Sequence, residues 1–351
     1  MKIAPWVGAL LALAFAVPEA PAAPSWGGHF LLATLNRRLH GQVVDYTHNH
    51  GHDNRIWSAA LCQLRDLYVY LPPCYDPAKR YPIIIYLHTF REDEVGGLRE
   101  TIELLDKAIA CGTLPPLIVA IPDGSVHGHP TLLVAGSFFV NSKAGRFEDY
   151  IVQDVWGFLV EHYPIRPEPE AHVLFGASMG GYGAFNLAMK YPDIFKIAIG
   201  IFPPLNLRWV DCHGNYRANF DPECWGWRTK IKPFEVVARY YGIPVRMWHL
   251  TRSTLGGLPD AIERASLENP IEMLDRLDIK PGLLDMYIAY AGKDQFNIDA
   301  QVESFLFVAH RRGLEVAVGY EPKGTHSSST ALKLIPDILE WLRPRLEPYA
   351  P

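Results

Sequence analysis

Short apolar runs recur along the chain at 83–87, 117–121, 173–175 and 197–201, and segments with helical spacing of apolar residues separate them. Brief, wholly apolar runs read as strands buried on both faces, the pattern of a parallel sheet covered by helices. The spacing predicts strands at 83–87, 117–121, 173–175, 197–201, 286–291 and 316–320, and helices at 101–110, 147–163, 182–191, 300–312 and 331–342. Apolar and polar residues instead alternate at 39–46 and 63–71, which predicts two antiparallel strands, the second closed by Pro72-Pro73. Together these define an α/β fold, a mostly parallel central sheet with helices on both faces and a ligand site at the C-terminal ends of the strands.

The alternation lapses over about 203–281, an interval too long for one connection between neighbouring elements. It reads as a cap inserted before the strand at 286–291. Trp209, Trp225, Trp227, Trp248, Tyr216, Phe220, Tyr240 and Tyr241 crowd into it. Two readings stay open: these aromatics line an apolar substrate cleft, or they form the small core of the insertion.

The N-terminus follows another logic. Lys2, an apolar run over 6–17 and Ala20-Pro21-Ala22 have the order of a secretory signal peptide with a small-residue cleavage site. The expected organisation is a signal peptide at 1–22, a linker at 23–38 and the α/β domain at 39–345. The apolar run is shorter than the roughly 20 residues a membrane span needs, so no stable span is expected after processing. Export to the periplasm or the medium follows, and no cysteine marks a lipoprotein site. A net charge of −5 without any basic block argues against a nucleic-acid partner. Five cysteines are too few to build a disulfide fold. Cys212 with Cys224 is the first candidate pair, Cys62 with Cys74 the second, and Cys111 is expected as a buried thiol.

The chemistry centres on Gly176-Ala177-Ser178-Met179-Gly180, where a buried strand meets a helix. A serine held on so sharp a turn needs tiny neighbours two residues to either side, and the turn aims the next amide, that of Met179, at a developing oxyanion. A base must take the serine proton, and a carboxylate must hold that base. Asp294, in the loop after the strand at 286–291, and His326, in Gly324-Thr325-His326 after the last strand, supply them in the chain order Ser178, Asp294, His326. Asp299 and Asp285 are weaker acids for the role, the first as a helix N-cap and the second too early in its strand. His310 lies inside a predicted helix. The second oxyanion donor is expected at the amide of Thr89 or Phe90, and His88 is expected as a hydrogen-bonded structural histidine. The run His48-Asn49-His50-Gly51-His52-Asp53 reads as a solvated loop rather than a metal site, and no metal or organic cofactor is called for.

Further motifs occur in order: Val69-Tyr70-Leu71-Pro72-Pro73-Cys74-Tyr75, Tyr86-Leu87-His88, Ile121-Pro122-Asp123-Gly124, the elbow extended to Gly181-Tyr182-Gly183, Tyr191-Pro192-Asp193-Ile194-Phe195, and Gly324-Thr325-His326. Over roughly 40–345 the chain resembles the esterase D, or putative esterase, family of α/β-hydrolases. That family includes feruloyl esterases, siderophore esterases, S-formylglutathione hydrolases and mycolyltransferases. The resemblance implies an α/β-hydrolase fold and, taken with the export expected from the N-terminus, an exported serine carboxylic-ester hydrolase acting on a small-molecule or glycan-linked ester through an acyl-enzyme. The alternatives are acyl transfer to a sugar or other alcohol on the same triad, and a non-catalytic member that binds glycan or lipid. Two departures stand out. Thr89 replaces the family's usual glycine, and Ser327-Ser328-Ser329 replaces an aromatic residue, which implies a more open or polar wall beside His326.

Overall fold

The apolar runs become the inner strands of one sheet. The computed structural model describes residues 32–48, 53–90, 92–129, 136–240, 242–256 and 259–351, so the expected signal peptide lies outside the described residues. Eight strands form the sheet: β1 (Gln42–Tyr46), β2 (Leu67–Leu71), β3 (Ile83–Leu87), β4 (Ile118–Pro122), β5 (His172–Ala177), β6 (Ile197–Ile201), β7 (Asp285–Ala291) and β8 (Val316–Glu321). Their spatial order is β1-β2-β4-β3-β5-β6-β7-β8. Only β2 runs against its neighbours, pairing antiparallel with β1 and β4, while β4 through β8 are parallel. This is the α/β-hydrolase fold. Chain direction across the sheet reverses between β3 and β5, so the crevice for chemistry opens where Leu87 and Ala177 end their strands.

Six helices complete the frame: α1 (Glu94–Ala110), α2 (Trp156–His162), α3 (Met179–Lys190), α4 (Pro270–Arg276), α5 (Ile298–Arg311) and α6 (Ser328–Leu346). α2 continues a π-helical stretch, Tyr150–Val155, and Tyr150 together with Phe147 from the preceding turn packs on the guanidinium of Arg65. Arg65 in turn meets Asp123 at 2.8 Å with both side chains excluded from water. The last part of the expected linker is a helical turn over 32–36 whose Leu32 and Leu35 join the main core.

The segment between β6 and β7 folds as two hairpins, Trp209–Asp211 with Trp225–Trp227 and Val236–Tyr240 with Ile243–Arg246, followed by helices Met247–Thr251, Ala261–Leu267 and α4. Trp209, Tyr216, Val237 and Met247 make its small core, with Phe220 and Trp225 packed around them. The core reading therefore holds for Trp209, Tyr216 and Phe220. Trp225 and Trp227 line a shallow groove of about 570 Å³ with Ile271, Glu272, Asp275, Arg276 and Val308, and no predicted catalytic residue borders it. Trp248 stacks against the guanidinium of Arg252. The side chains of Tyr240 and Tyr241 lie outside the described residues.

The cysteines divide. Cys212 and Cys224 form a disulfide, whereas Cys62, Cys74 and Cys111 are free and exposed. The second expected pair fails because β2 lies between its members. β2 alone spans roughly 16 Å, against the ~7 Å limit for bridged Cα atoms, and each cysteine sits in its own left-handed turn beyond the strand, at φ +53° and +57°. Cys111 is exposed rather than buried because it is the C-cap of α1, where its Sγ lies 3.2 Å from Thr113 Oγ1. Hydrogen bonds from Thr113 hold its thiol below the ordinary pKa.

Candidate active site

Ser178 stands between β5 and α3 with φ +53° and ψ −115°, a conformation that an L-residue keeps only where the surroundings enforce it. Its amide donates to Ile201 O at 2.7 Å, which ties the turn to the end of β6. The two glycines of the motif are required by contact. A methyl group on Gly180 would stand 1.9 Å from Leu87 O, and one on Gly176 would stand 2.4 Å from the Gly180 carbonyl carbon. The elbow is thus pressed directly onto the end of β3.

His326 arrives from the far side. Its Nε2 lies 3.0 Å from Ser178 Oγ and its Nδ1 lies 2.8 Å from Asp294 Oδ2. Asp294 is almost wholly buried, at 1 % side-chain exposure, and its second oxygen accepts the Phe296 amide at 2.8 Å. A carboxylate facing Nδ1 fixes the proton there and leaves Nε2 as the acceptor for the serine hydroxyl. The two loops are stitched together by Gly292 N to Glu321 O and Lys293 N to Gly324 O, each 3.0 Å, and by the His326 amide to Gln295 Oε1 at 2.8 Å. The three residues predicted to act together are therefore together.

The weaker candidates fall away. Asp285 sits at the start of β7, at the opposite end of the parallel strands from Ser178, and pairs with Arg345 at 3.4 Å. Asp299 is not the N-cap of α5; Asn297 holds that position, and Asp299 lies in the first turn, where burial raises its pKa. His310 is exposed in the last turn of α5.

Met179 is the first residue of α3, so its amide has no carbonyl four residues back to bond. Across from it, the loop after β3 carries Thr89 and Phe90. A Cβ on Gly136 would meet Met179 Sδ at 2.0 Å and Phe90 Cδ2 at 3.2 Å, so these two side chains converge on one spot. The Thr89 amide already faces Glu92 Oε2 at 3.3 Å. His88 is structural as expected: fully buried, its Nε2 accepts the Gly124 amide at 2.9 Å, so its Nδ1 carries the proton donated to Thr89 O at 2.9 Å.

Several residues beside the site were not foreseen. Phe202 and Phe296 flank the His326 ring at 5.0 and 4.9 Å between centroids. Phe202 is the first residue past β6, a strand-end position that flags it once the sheet order is known. The aromatic wall that the family places after its histidine is thus supplied from other loops. Ser327 is free to serve as the N-cap of α6, accepting the Thr330 amide. Phe138 and Phe139 also lie against α3, Phe138 packed on Phe90 and Tyr182 and Phe139 beside Gly183, while Ser137 donates to Gly124 O.

For metals, one grouping of ligand-type side chains occurs among the described residues: Cys212, His213 and Cys224, with ligand atoms within 4.8 Å. The disulfide consumes both thiolates a metal would need. His50 and His52 lie outside the described residues.

A strained serine on a strand-to-helix elbow, bonded to a histidine that is bonded to a buried carboxylate, defines the site of a serine hydrolase of the α/β-hydrolase class. The family described as putative esterase matches residues 58–253, more than half of the chain, and the chain belongs to that family of carboxylic ester hydrolases. Solved structures agree in fold. A ferulic acid esterase superposes with a TM-score of 0.63 at 15 % identity, covering 88 % of this chain and all of its own. The fluorophosphonate-binding serine hydrolase FphF of Staphylococcus aureus gives 0.60 at 16 % identity, over 86 % of this chain and 98 % of its own. An S-formylglutathione hydrolase from Agrobacterium tumefaciens gives 0.59 at 17 % identity, over 88 % and 96 %.

Proposed function

We propose that the protein is an exported serine esterase in which Ser178 is the nucleophile, His326 the general base and acid, and Asp294 the orienting carboxylate. The observation that carries this reading is the continuous relay from Asp294 through His326 to Ser178 Oγ, at 2.8 and 3.0 Å. Ser178 Oγ attacks the ester carbonyl while Nε2 takes its proton, and the imidazolium is held by Asp294. The carbonyl oxygen becomes an oxyanion received by the Met179 amide and by the loop after β3. Within that loop Phe90 is the better second donor, because the Thr89 amide is engaged by Glu92. Collapse of the intermediate passes the Nε2 proton to the departing alcohol. Water then repeats the sequence on the acyl-enzyme and releases the acid.

Export is supported by the order of residues at the N-terminus and by the Cys212–Cys224 bond, which suits an oxidising compartment. The substrate class is a small or glycan-linked ester, in line with the ferulic acid esterase among the structural neighbours. The test is a chromogenic series from acetyl to long acyl plus a feruloyl ester, assayed with the mature protein and with Ser178→Ala. Turnover of at least one ester by the parent, abolished in the variant, supports the reading. Equal rates in both would remove Ser178 from the chemistry.

A further inference from the structure

The loop that carries Asp294 is braced from the insertion. Tyr216 donates its phenolic proton to Phe296 O at 2.6 Å and accepts from Gln301 Nε2 at 3.2 Å. Asn297, left-handed at φ +57° and the N-cap of α5, sends its Nδ2 back to the carbonyls of Tyr216 and Ala218 at 2.9 and 3.0 Å. Trp209 Nε1 donates to the same Tyr216 carbonyl at 2.9 Å. The guanidinium of Arg228, paired with Glu235, covers the Tyr216 ring at 5.3 Å. Burial among these groups pushes the Tyr216 phenol well above its ordinary pKa, so it acts only as a neutral donor and acceptor.

Phe296 links this brace to the reacting groups. Its amide donates to Asp294 Oδ1 at 2.8 Å, and its ring lies 4.9 Å from that of His326. Any displacement of Phe296 therefore disturbs both the acid and the base. Tyr216 and Ala218 in turn lie inside the loop that the Cys212–Cys224 bond closes, and Asp211 knits the start of that loop by accepting the amides of His213 and Asn215 at 2.9 and 2.7 Å.

We infer that Tyr216 is a positioning residue for the Asp294–His326 pair and that the Cys212–Cys224 disulfide, by closing the loop that carries it, makes the activity depend on redox state. The inference rests on the triad reading above. A dithiol reductant supplies the chemistry: one of its thiolates attacks a disulfide sulfur, its second thiol closes the reagent to a cyclic disulfide, and Cys212 and Cys224 are left as two thiols. The loop then keeps its Asp211 turn but loses its closing link, and Tyr216 loses its fixed place beneath Phe296.

The experiment compares the mature protein, Tyr216→Phe, Asn297→Gly and Cys212→Ser/Cys224→Ser, each with and without dithiothreitol. It reads kcat and KM on a small ester, the rate of Ser178 labelling by an alkyl fluorophosphonate, and the midpoint of thermal unfolding. Tyr216→Phe deletes one hydroxyl, and about a 10-fold fall in kcat and labelling rate is expected with KM unchanged, equivalent to ~1.4 kcal/mol at the transition state. Asn297→Gly keeps the left-handed backbone, removes the other half of the brace, and is expected to act in the same direction. Reduction of the parent protein should lower the same two rates reversibly, reduction of Tyr216→Phe should add little, and the double serine variant should ignore the reagent. Folded variants that keep the parental kcat and labelling rate, or a raised KM at constant kcat, would overturn the inference while leaving the esterase reading intact. A parent protein that neither labels nor hydrolyses any ester would refute that reading itself.

Discussion

The tightest contact in the site is that of α3 on β3, and Gly180→Ala tests it. The added methyl would lie 1.9 Å from Leu87 O, 2.6 Å from Leu87 C and 2.9 Å from His88 O. An ordinary carbon–oxygen contact needs about 3.3 Å, so the helix and strand must separate by roughly 1.4 Å. Backbone atoms rather than a flexible side chain are in the way, which places the cost at about 1–3 kcal/mol or above and the fall in Tm at roughly 2–6 °C. The strand end displaced is the one that leads into Thr89 and Phe90. A misplacement of about 1 Å between nucleophile and oxyanion donors costs on the order of 10²-fold in kcat/KM. The control is Gly157→Ala in α2, where the same methyl meets no atom within 4 Å. Inside a helix it should stabilise by roughly 0.5–1 kcal/mol and leave turnover alone. The assay is thermal unfolding with ester hydrolysis on all three proteins. A Gly180→Ala protein with parental Tm and kcat/KM would refute the reasoning, since the elbow would then not bear on β3.

Asp294→Asn should lower kcat by about 10³–10⁴-fold with little change in KM, because an amide facing Nδ1 favours the wrong imidazole tautomer; the upper figure is the one known for the corresponding change in a trypsin-like triad. Steady-state kinetics read it, and a loss below about 10-fold would contradict an orienting role. His88→Ala should reduce kcat through the loop after β3, since it removes both the bond from Gly124 and the bond to Thr89 O; an unchanged kcat in a folded variant would detach that loop from the chemistry. Arg65→Met leaves Asp123 buried without its partner and should cost about 3–5 kcal/mol in denaturant unfolding. Burial beside Asp123 raises the Asp66 carboxyl to about 7. Its folded pKa exceeds the unfolded one, so it penalises the fold increasingly as pH climbs from about 4 to 7 and fully above that. Asp66→Asn should therefore stabilise by roughly 1–3 kcal/mol at pH 8 and by almost nothing at pH 4, read by Tm at the two pH values.

What the sequence disclosed follows from how strongly each segment is dictated locally. The runs 83–87 and 197–201 are observed at the predicted bounds, because buried apolar residues enclosed by Pro82 and His88, or by Lys196 and the Pro203-Pro204 pair, have one reading. The run 63–71 instead breaks at Asp66: Gln63–Arg65 pairs with Ile56–Ser58, while the Asp66 carbonyl takes the Asp123 amide, a partner far away in sequence. α1 begins at Glu94 rather than at 101, since Gly96 and Gly97 look like breakers but Asp93 caps them by accepting the Val95 and Gly96 amides. The relay of Ser178, Asp294 and His326 was legible because each follows a strand in a fixed order. Phe202, Phe296, Gln295 and Tyr216 were not, because their roles arise from loops that meet only once the sheet and the insertion are assembled.

The central claim is that Ser178 carries the acyl group, and the most direct measurement is to trap it. A slowly deacylating aryl ester mixed with the mature protein, quenched in acid during turnover and digested, should leave one acyl mass on the peptide containing Ser178, and none on that peptide in Ser178→Ala. An acyl group found on another side chain, or steady turnover with no acylated peptide at any quench time, would contradict the account.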